Sequence, residues 1–400
     1  MDIGTDTAVV DAVIRRVFLI DDVTLGGPKD PYSLRYHGRL LSADSARLYD
    51  QLAADLKPLG YTPLFRWDGA QQEIRLVRGV VEMDRPRSRL NVIMFILTVL
   101  SVLFVGATYA ANGNLPSSLQ DFLGGLPFAV SLMAILSAHE FGHYLVGRWR
   151  GTPVSLPYFI PIPVPPFGTM GAFINMKAPP KNRNTLLEIG MAGPIAGLVV
   201  AIPVLLIGLA LSPIEPIPAV TPQGMALTIE GNSLLYLFSK FLVFGQLLPA
   251  PASYGGVSPL IYWVRYFFTG QPVPLGGMDV ILDPVAWAGW GGLLVTALNL
   301  IPAGQLDGGH ILYVLFGRKG ARRVLPVILV ALVALGFFWN GWWLWAALIF
   351  FLVGRTYAEP LDQITPLDGP HKLLAVIMLG VFLLVFMPVP FSVVYGAIAP

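Results

Sequence analysis

The sequence predicts an all-α polytopic membrane protein of about seven spans, preceded by a small N-terminal α+β soluble domain. Three observations predict it. Of the 400 residues, 55% are hydrophobic and 12% are charged, against about 25% charged in a soluble globular protein. The deficit of charge lies after residue 90, in apolar runs long enough to cross a bilayer. Residues 1–89 instead mix polar and apolar positions with strand-like and helix-like periods. The chain therefore divides into a soluble part, 1–89, and a membrane-embedded part, 90–400. The lipid bilayer is one partner. A net charge of +2 is too small to suggest a nucleic acid as another. The absence of cysteine excludes disulfides, cysteine nucleophiles and thiolate metal ligands. Nothing in the composition speaks to oligomeric state.

In the soluble part, Tyr32 to Leu41 alternates like a strand. Ser42 is the expected N-cap of a helix running to about Lys57, where Pro58 stops it. Tyr61 to Trp67 and Glu73 to Val77 read as a strand pair around Asp68-Gly69. This domain shows no catalytic pattern; regulation, substrate presentation and simple stabilisation all fit it. Met1 to Val10 lacks a signal peptide's basic region and apolar core, so the first span is expected to direct insertion.

The first span is Asn91 to Ala111. Arg85, Arg87 and Arg89 precede it, which places the N-terminal domain in the cytoplasm by the positive-inside rule. The second is Leu126 to about Gly147, followed by Arg148 and Arg150. The third is Leu186 to Leu211, flanked by Lys181 and Arg183. Residues 212–284 form a Pro- and Gly-rich outer connection. Its apolar patches, Leu234 to Leu248 and Leu260 to Phe268, read as interfacial or re-entrant helices, because Lys240 and Arg265 interrupt them. Ala286 to Ile301 is the fourth span, with Arg318, Lys319, Arg322 and Arg323 after it. Val324 to Phe338 and Trp342 to Val353 form a hairpin around Asn340-Gly341, returned to the cytoplasm at Arg355. Leu373 to Val394 is the last span.

Chemistry concentrates in the second span. His139, Glu140, Phe141, Gly142 and His143 read H-E-x-x-H. On a helix the two histidines are one turn apart on one face, so they can share a Zn²⁺ ion, with Glu140 beside the activated water as candidate general base. Two histidines leave zinc one ligand short of a catalytic set. The candidate is Asp307, in the stretch from Asn299 to His310 (NLIPAGQLDGGH) after the fourth span. An uncompensated carboxylate at the bilayer centre costs about 2.5 kcal/mol or more, which metal ligation would offset. Pro302, Gly304, Gly308 and Gly309 break the helix and let the chain turn Asp307 inward.

H-E-F-G-H in an apolar helix, followed far downstream by N-x-x-P-x-x-x-L-D-G, resembles the site-2 protease family of intramembrane zinc metalloproteases. The resemblance covers about residues 90 to 320 well. It implies His139, His143 and Asp307 as zinc ligands, Glu140 as the base, and Asn299 as a residue that holds substrate or stabilises the oxyanion. An N-terminal α+β domain without an inserted PDZ domain is most similar to the bacterial and plastid branch. No Ser- and Arg-rich transit-type stretch is visible, so a bacterial cell membrane is expected. By the same resemblance the substrate would be a single-span membrane protein, such as an anti-sigma factor or a signal-peptide remnant.

Several positions keep two readings. Asn299 also suits an interhelical hydrogen bond. His310 suits a supporting or interfacial role, since a fourth protein ligand would close the site to water. His37 and His371 lie in polar contexts and are expected to be solvated. Pro157 to Phe173 carries five prolines and is expected to be extended, with Gly168 to Ile174 as an exposed β-edge that could bind unwound substrate through Gly168, Gly171, Ala172 and Phe173. A plain apolar connector is the other reading. Met191 to Leu198 (MAGPIAGL) is expected to pack closely against the histidine helix. The rival to a protease is a non-proteolytic membrane scaffold or metal-transport protein on the same fold. The intact Glu140 disfavours it, because neither needs a base beside the metal.

Overall fold

The computed structural model describes residues 3–27, 29–80, 88–221, 226–353 and 357–395. Arg85, Arg87 and Arg355, used above to orient the chain, lie outside them. The N-terminal domain opens with α1 (Ile3–Ile14) and β1 (Phe18–Leu25), continues with β2 (Leu34–Leu40) and α2 (Ser45–Leu56), and ends with β3 (Tyr61–Asp68) and β4 (Gln71–Arg78). The four strands form an antiparallel sheet in the order β1-β2-β4-β3. Alternation along β2 and β4 sends Tyr36, Ile74 and Leu76 to a core shared with Leu52 and Leu56 of α2. The cap of α2 is Asp44, whose carboxylate accepts from Arg47 N at 3.1 Å, and not Ser42. Ser42 instead accepts from Asp44 N and shapes the preceding turn. Past Leu56, Pro58 tightens the chain into a single 3₁₀ turn.

The membrane part begins with α3 (Ser88–Ala110) and α4 (Leu119–Trp149). A capping box of Ser118 and Asp121 starts α4, two turns before Leu126. A hairpin of β5 (Tyr158–Pro161) and β6 (Thr169–Phe173) separates α4 from α5 (Arg183–Leu211), which Asn182 caps. Among the described residues, three helices are long and apolar enough to cross a membrane: α3, α4 and α5. Only 39%, 44% and 39% of their most apolar stretches are buried inside the protein. The outward remainder is apolar, as at Leu100, Val130, Val199 and Ile207. A water-soluble bundle would turn polar residues outward, so lipid is the solvent these faces fit.

The outer connection contains β7 (Ile214–Pro216), β8 (Ala226–Glu230), α6 (Leu234–Phe244), α7 (Pro259–Thr269) and β9 (Met278–Val280). Helices α6 and α7 have 11 residues each, about 16 Å of rise, too short for a bilayer core of about 30 Å. Next come α8 (Pro284–Asn299), α9 (Asp307–Leu335), α10 (Gly341–Leu348), α11 (Gly369–Val385) and β10 (Phe391–Tyr395). Gly317, at φ 66°, breaks α9 just before its basic cluster. Two expectations change here. The last helix ends at Val385, and the following segment is a strand paired with β8, Phe391 opposite Glu230. The membrane part is also not purely helical, since β5-β6, β7-β9 and β8-β10 are two-stranded sheets.

The two parts of the chain are sewn together by residues 357–367. Phe65 N donates to Leu361 O at 3.0 Å, and Gln363 N donates to Phe65 O at 3.0 Å, so this segment runs along the edge of β3. Leu361 N and Asp362 N then donate to the carbonyls of Pro180 and Lys181. Lys181 pairs with Asp50 of α2 at 2.6 Å, and Ile364 belongs to the N-terminal core.

Candidate metal centre

The small-residue face of α5 brings it close to α4. Ala192 and Ala196 lie against Gly142, while Gly193 and Gly197 face the rings of His143 and His139. That proximity lets His143 Nδ1–H donate to the Ile189 carbonyl of α5 at 2.7 Å. The bond fixes the tautomer and leaves Nε2 as a lone pair. His139 Nε2 lies 3.3 Å away. Asp307 arrives from the first turn of α9, where Gly308 and Gly309 pack against the backbone of residues 300–304 with no room for a side chain. Its Oδ2 lies 3.3 Å from each of the two Nε2 atoms.

These three atoms form a triangle with sides of 3.3 Å. Ligands about 2.0–2.1 Å from a tetrahedral zinc are about 3.3–3.4 Å apart, so the triangle matches one face of the coordination tetrahedron. The donor set is two imidazoles and a carboxylate, the ligand chemistry of a catalytic zinc site. The three residues fit zinc and leave the fourth corner open. His310 is not part of this group. It is buried, it lines the same cavity, and its Nδ1 has no hydrogen-bond partner among the described residues.

Glu140 is buried and lines the cavity. Asn299, the last residue of α8, puts Nδ2 3.2 Å from His139 Nε2. The contact joins α8 to α4, so the interhelical bond and the place beside a metal-ligating histidine coincide in this one residue. The cavity has a volume of about 730 Å³, within the usual size of ligand clefts. Ala172 and Phe173 line it, and the wall continues through residues 174–180. Gly168 and Gly171 do not reach it. Gly168, at φ +77°, packs on the backbone of Ser101 and Val102, and its carbonyl accepts from Ser101 Oγ at 2.6 Å. The expected β-edge is present. One side of β6 pairs with β5, and among the described residues no strand pairs with its other side.

The far wall of the cavity was not expected from the sequence. Leu64 and Arg66 of β3 line it together with Tyr357, Ala358 and Glu359. The signal was present: Tyr61, Pro63 and Phe65 turn to the core, so Leu64 and Arg66 turn away from it. Arg66 Nη1 donates to Leu361 O at 2.7 Å and to Phe65 O at 2.9 Å. Burial pulls its guanidinium below the usual range, opposed by Glu359. His37 and His371, expected to be solvated, are only partly exposed and sit against carboxylates. His371 Nδ1 lies 2.7 Å from Asp368 and its Nε2 3.0 Å from Glu188, which also pairs with Arg150. His37 sits among three carboxylates.

A family model described as Peptidase family M50 matches residues 127–338, just over half of the chain. Curated relatives agree. The chain is 31% identical over 302 residues to the probable zinc metalloprotease EGY2, chloroplastic, of Arabidopsis thaliana, covering 74% of this chain and 48% of that protein. It is 28% identical over 321 residues to the probable zinc metalloprotease EGY1, chloroplastic, of Oryza sativa subsp. japonica, covering 75% and 50%. The chain thus spans about half the length of the curated relatives it matches. No solved structure matches it. With the zinc-fitting triangle carried on helices inside the matched region, the chain belongs to peptidase family M50, the site-2 protease family.

Proposed function

We propose that this chain is an intramembrane zinc endopeptidase that cuts transmembrane segments of single-span membrane proteins. The observation that carries the reading is the 3.3 Å triangle of His139, His143 and Asp307, set among three membrane-length apolar helices beside a buried glutamate. Zinc, when bound there, supplies a Lewis acid and lowers the pKa of water toward neutrality. Glu140 takes a proton from the attacking water and delivers it to the leaving amine. Asn299 Nδ2–H donates to the oxygen that gains negative charge at the scissile carbonyl. A substrate helix must unwind before its peptide bond is accessible, and the unpaired side of β6 offers backbone partners to the unwound chain. The protein is a multi-pass resident of a bacterial cell membrane with its N-terminal domain in the cytoplasm. Support for the cytoplasmic side comes from Arg89, Arg148 and Arg150 and from the N-terminal domain's place in the cavity wall.

The test is cleavage of a model single-span substrate by the purified protein in detergent, with zinc measured per chain. Glu140→Gln should keep its zinc and lose cleavage by at least about 10²-fold. Cleavage by Glu140→Gln at the parent's rate would sink the assignment.

A further inference from the structure

The N-terminal sheet carries a second convergence of ligand-type side chains, on the face turned away from α2. Strands β1, β2 and β4 set Asp22, His37 and Glu73 directly opposite one another. Because Tyr36 and Ile74 point to the core, His37 and Glu73 point to the other face. Asp68 reaches the same place from the end of β3. His37 Nε2 lies 3.3 Å from Asp68 Oδ2 and 3.5 Å from Glu73 Oε2. One ligand atom from each residue lies within 4.8 Å of the others.

Two details separate this from an ordinary surface ion pair. The Glu73 side chain is 0% exposed. Arg75 Nη2 ion-pairs with its Oε1 at 2.5 Å, and both Oε1 and Oε2, the latter facing His37, lack a hydrogen-bond partner among the described residues. His37 Nε2 has none among them either. A buried carboxylate oxygen and a ring nitrogen facing each other without a hydrogen bond are left unsatisfied, and a cation between them would satisfy both. Behind the ring, Asp22 Oδ2 lies 4.0 Å from His37 Nδ1. That is the side from which an outer carboxylate orients a metal-binding histidine.

We propose that His37, Asp68 and Glu73 form a second metal site that takes a first-row divalent cation of the Zn²⁺ class. One imidazole and two carboxylates suit that class. Asp22 orients the imidazole, and Arg75 holds the second oxygen of Glu73. Arg66, opposite Glu73 in the next strand, lines the membrane cavity, so an occupied site braces the strand that forms the cavity's far wall.

The test counts Zn²⁺ per chain in the full-length protein in detergent, after saturation with zinc and desalting. The parent should carry two. Asp68→Ala, which removes a side chain that is 61% exposed, should carry one, and so should His37→Ala. The double variant His139→Ala/His143→Ala should also carry one, and combining it with Asp68→Ala should leave none. If the double variant and its combination with Asp68→Ala carry the same zinc, the proposal is overturned and the cluster is an ion-pair network alone. A count that falls with Asp68→Ala but not with His139→Ala/His143→Ala would keep this site and overturn the membrane one.

Discussion

Gly193→Ala is the sharpest probe of how the membrane site is built. A Cβ added at residue 193 would lie 2.0 Å from His143 Nε2, 2.4 Å from its Cδ2 and 2.5 Å from its Cε1. Non-bonded contact needs roughly 3.5 Å, so the ring must retreat by about 1.5 Å or the helices must part. Either movement exceeds the tolerance of about 0.2 Å on a metal–ligand distance several-fold. The ring cannot simply rotate clear, because its Nδ1 is tied to the Ile189 carbonyl. Overpacking of one methyl costs about 1–3 kcal/mol, so the protein should still fold. The expected result is a loss of one zinc per chain relative to the parent, with cleavage down by at least about 100-fold. Gly197→Ala is the internal control: its Cβ would sit 3.2 Å from His139 Nδ1, a clash relieved by a few tenths of an ångström, and most of the zinc should remain. Zinc content, cleavage and thermal stability would be read on the same preparations. If Gly193→Ala keeps the parent's zinc and rate, the 3.3 Å triangle is not the metal site.

Four further outcomes follow. Asn299→Ala should keep its zinc and lose about 10²- to 10³-fold in kcat, as the loss of a single oxyanion donor does; an unchanged kcat would reduce Asn299 to packing. Arg66→Ala removes a partly buried charge-assisted hydrogen bond to Leu361 O, worth about 1.5 kcal/mol, and should expose the junction near residue 361 to limited proteolysis. A chelator should abolish cleavage and added Zn²⁺ should restore it. Burial pushes the Glu230 carboxyl from 4.5 up to about 7, with Asp279 adding to the rise and Lys240 opposing it. A pKa raised by folding contributes stability below the unfolded value and loses it as pH rises through about 7. Glu230→Gln should flatten the resulting fall in melting temperature between about pH 5 and about pH 8.

What could be read from the sequence was local. Histidines four apart meet on a helix wherever that helix is placed, and Pro302 with Gly304 marks the break before α9 by residue type alone. Alternation in Tyr61 to Trp67 was enough to find β3, and five prolines were enough to exclude a helix before β6. What escaped was non-local. The strand Phe18–Leu25 carries Asp21-Asp22 in its middle, and only pairing with β2 makes it a strand. Phe391–Tyr395 looks like the end of an apolar span, yet it pairs with residues more than 160 positions earlier. Nothing near Leu361 announces that its carbonyl receives Phe65 N and Arg66 from the other end of the chain. Residue identity there is nearly irrelevant, because the bonds run to backbone atoms.

The placement of the site along α4 limits how a substrate reaches it. From Leu119 to His139 the helix rises about 30 Å, and from His143 to Trp149 only about 9 Å, so the metal ligands sit near the end that carries Arg148 and Arg150. At that end the cavity is walled by Leu64 and Arg66, by Tyr357 to Glu359, and by the chain after β6. On the proposed reading, water enters from the side of the N-terminal domain without crossing the bilayer. On that reading a lipid-embedded substrate helix arrives from among apolar faces and must lose its own hydrogen bonds to occupy the cavity. The unpaired side of β6, whose Ala172 and Phe173 line the cavity, would then offer backbone pairing that offsets part of the cost of unwinding. On the proposed reading, the N-terminal domain and segment 357–367 act on the same step. They shape the mouth through which water enters, while α3 to α5 present the membrane side. The two reactants thus meet at Glu140 by separate routes.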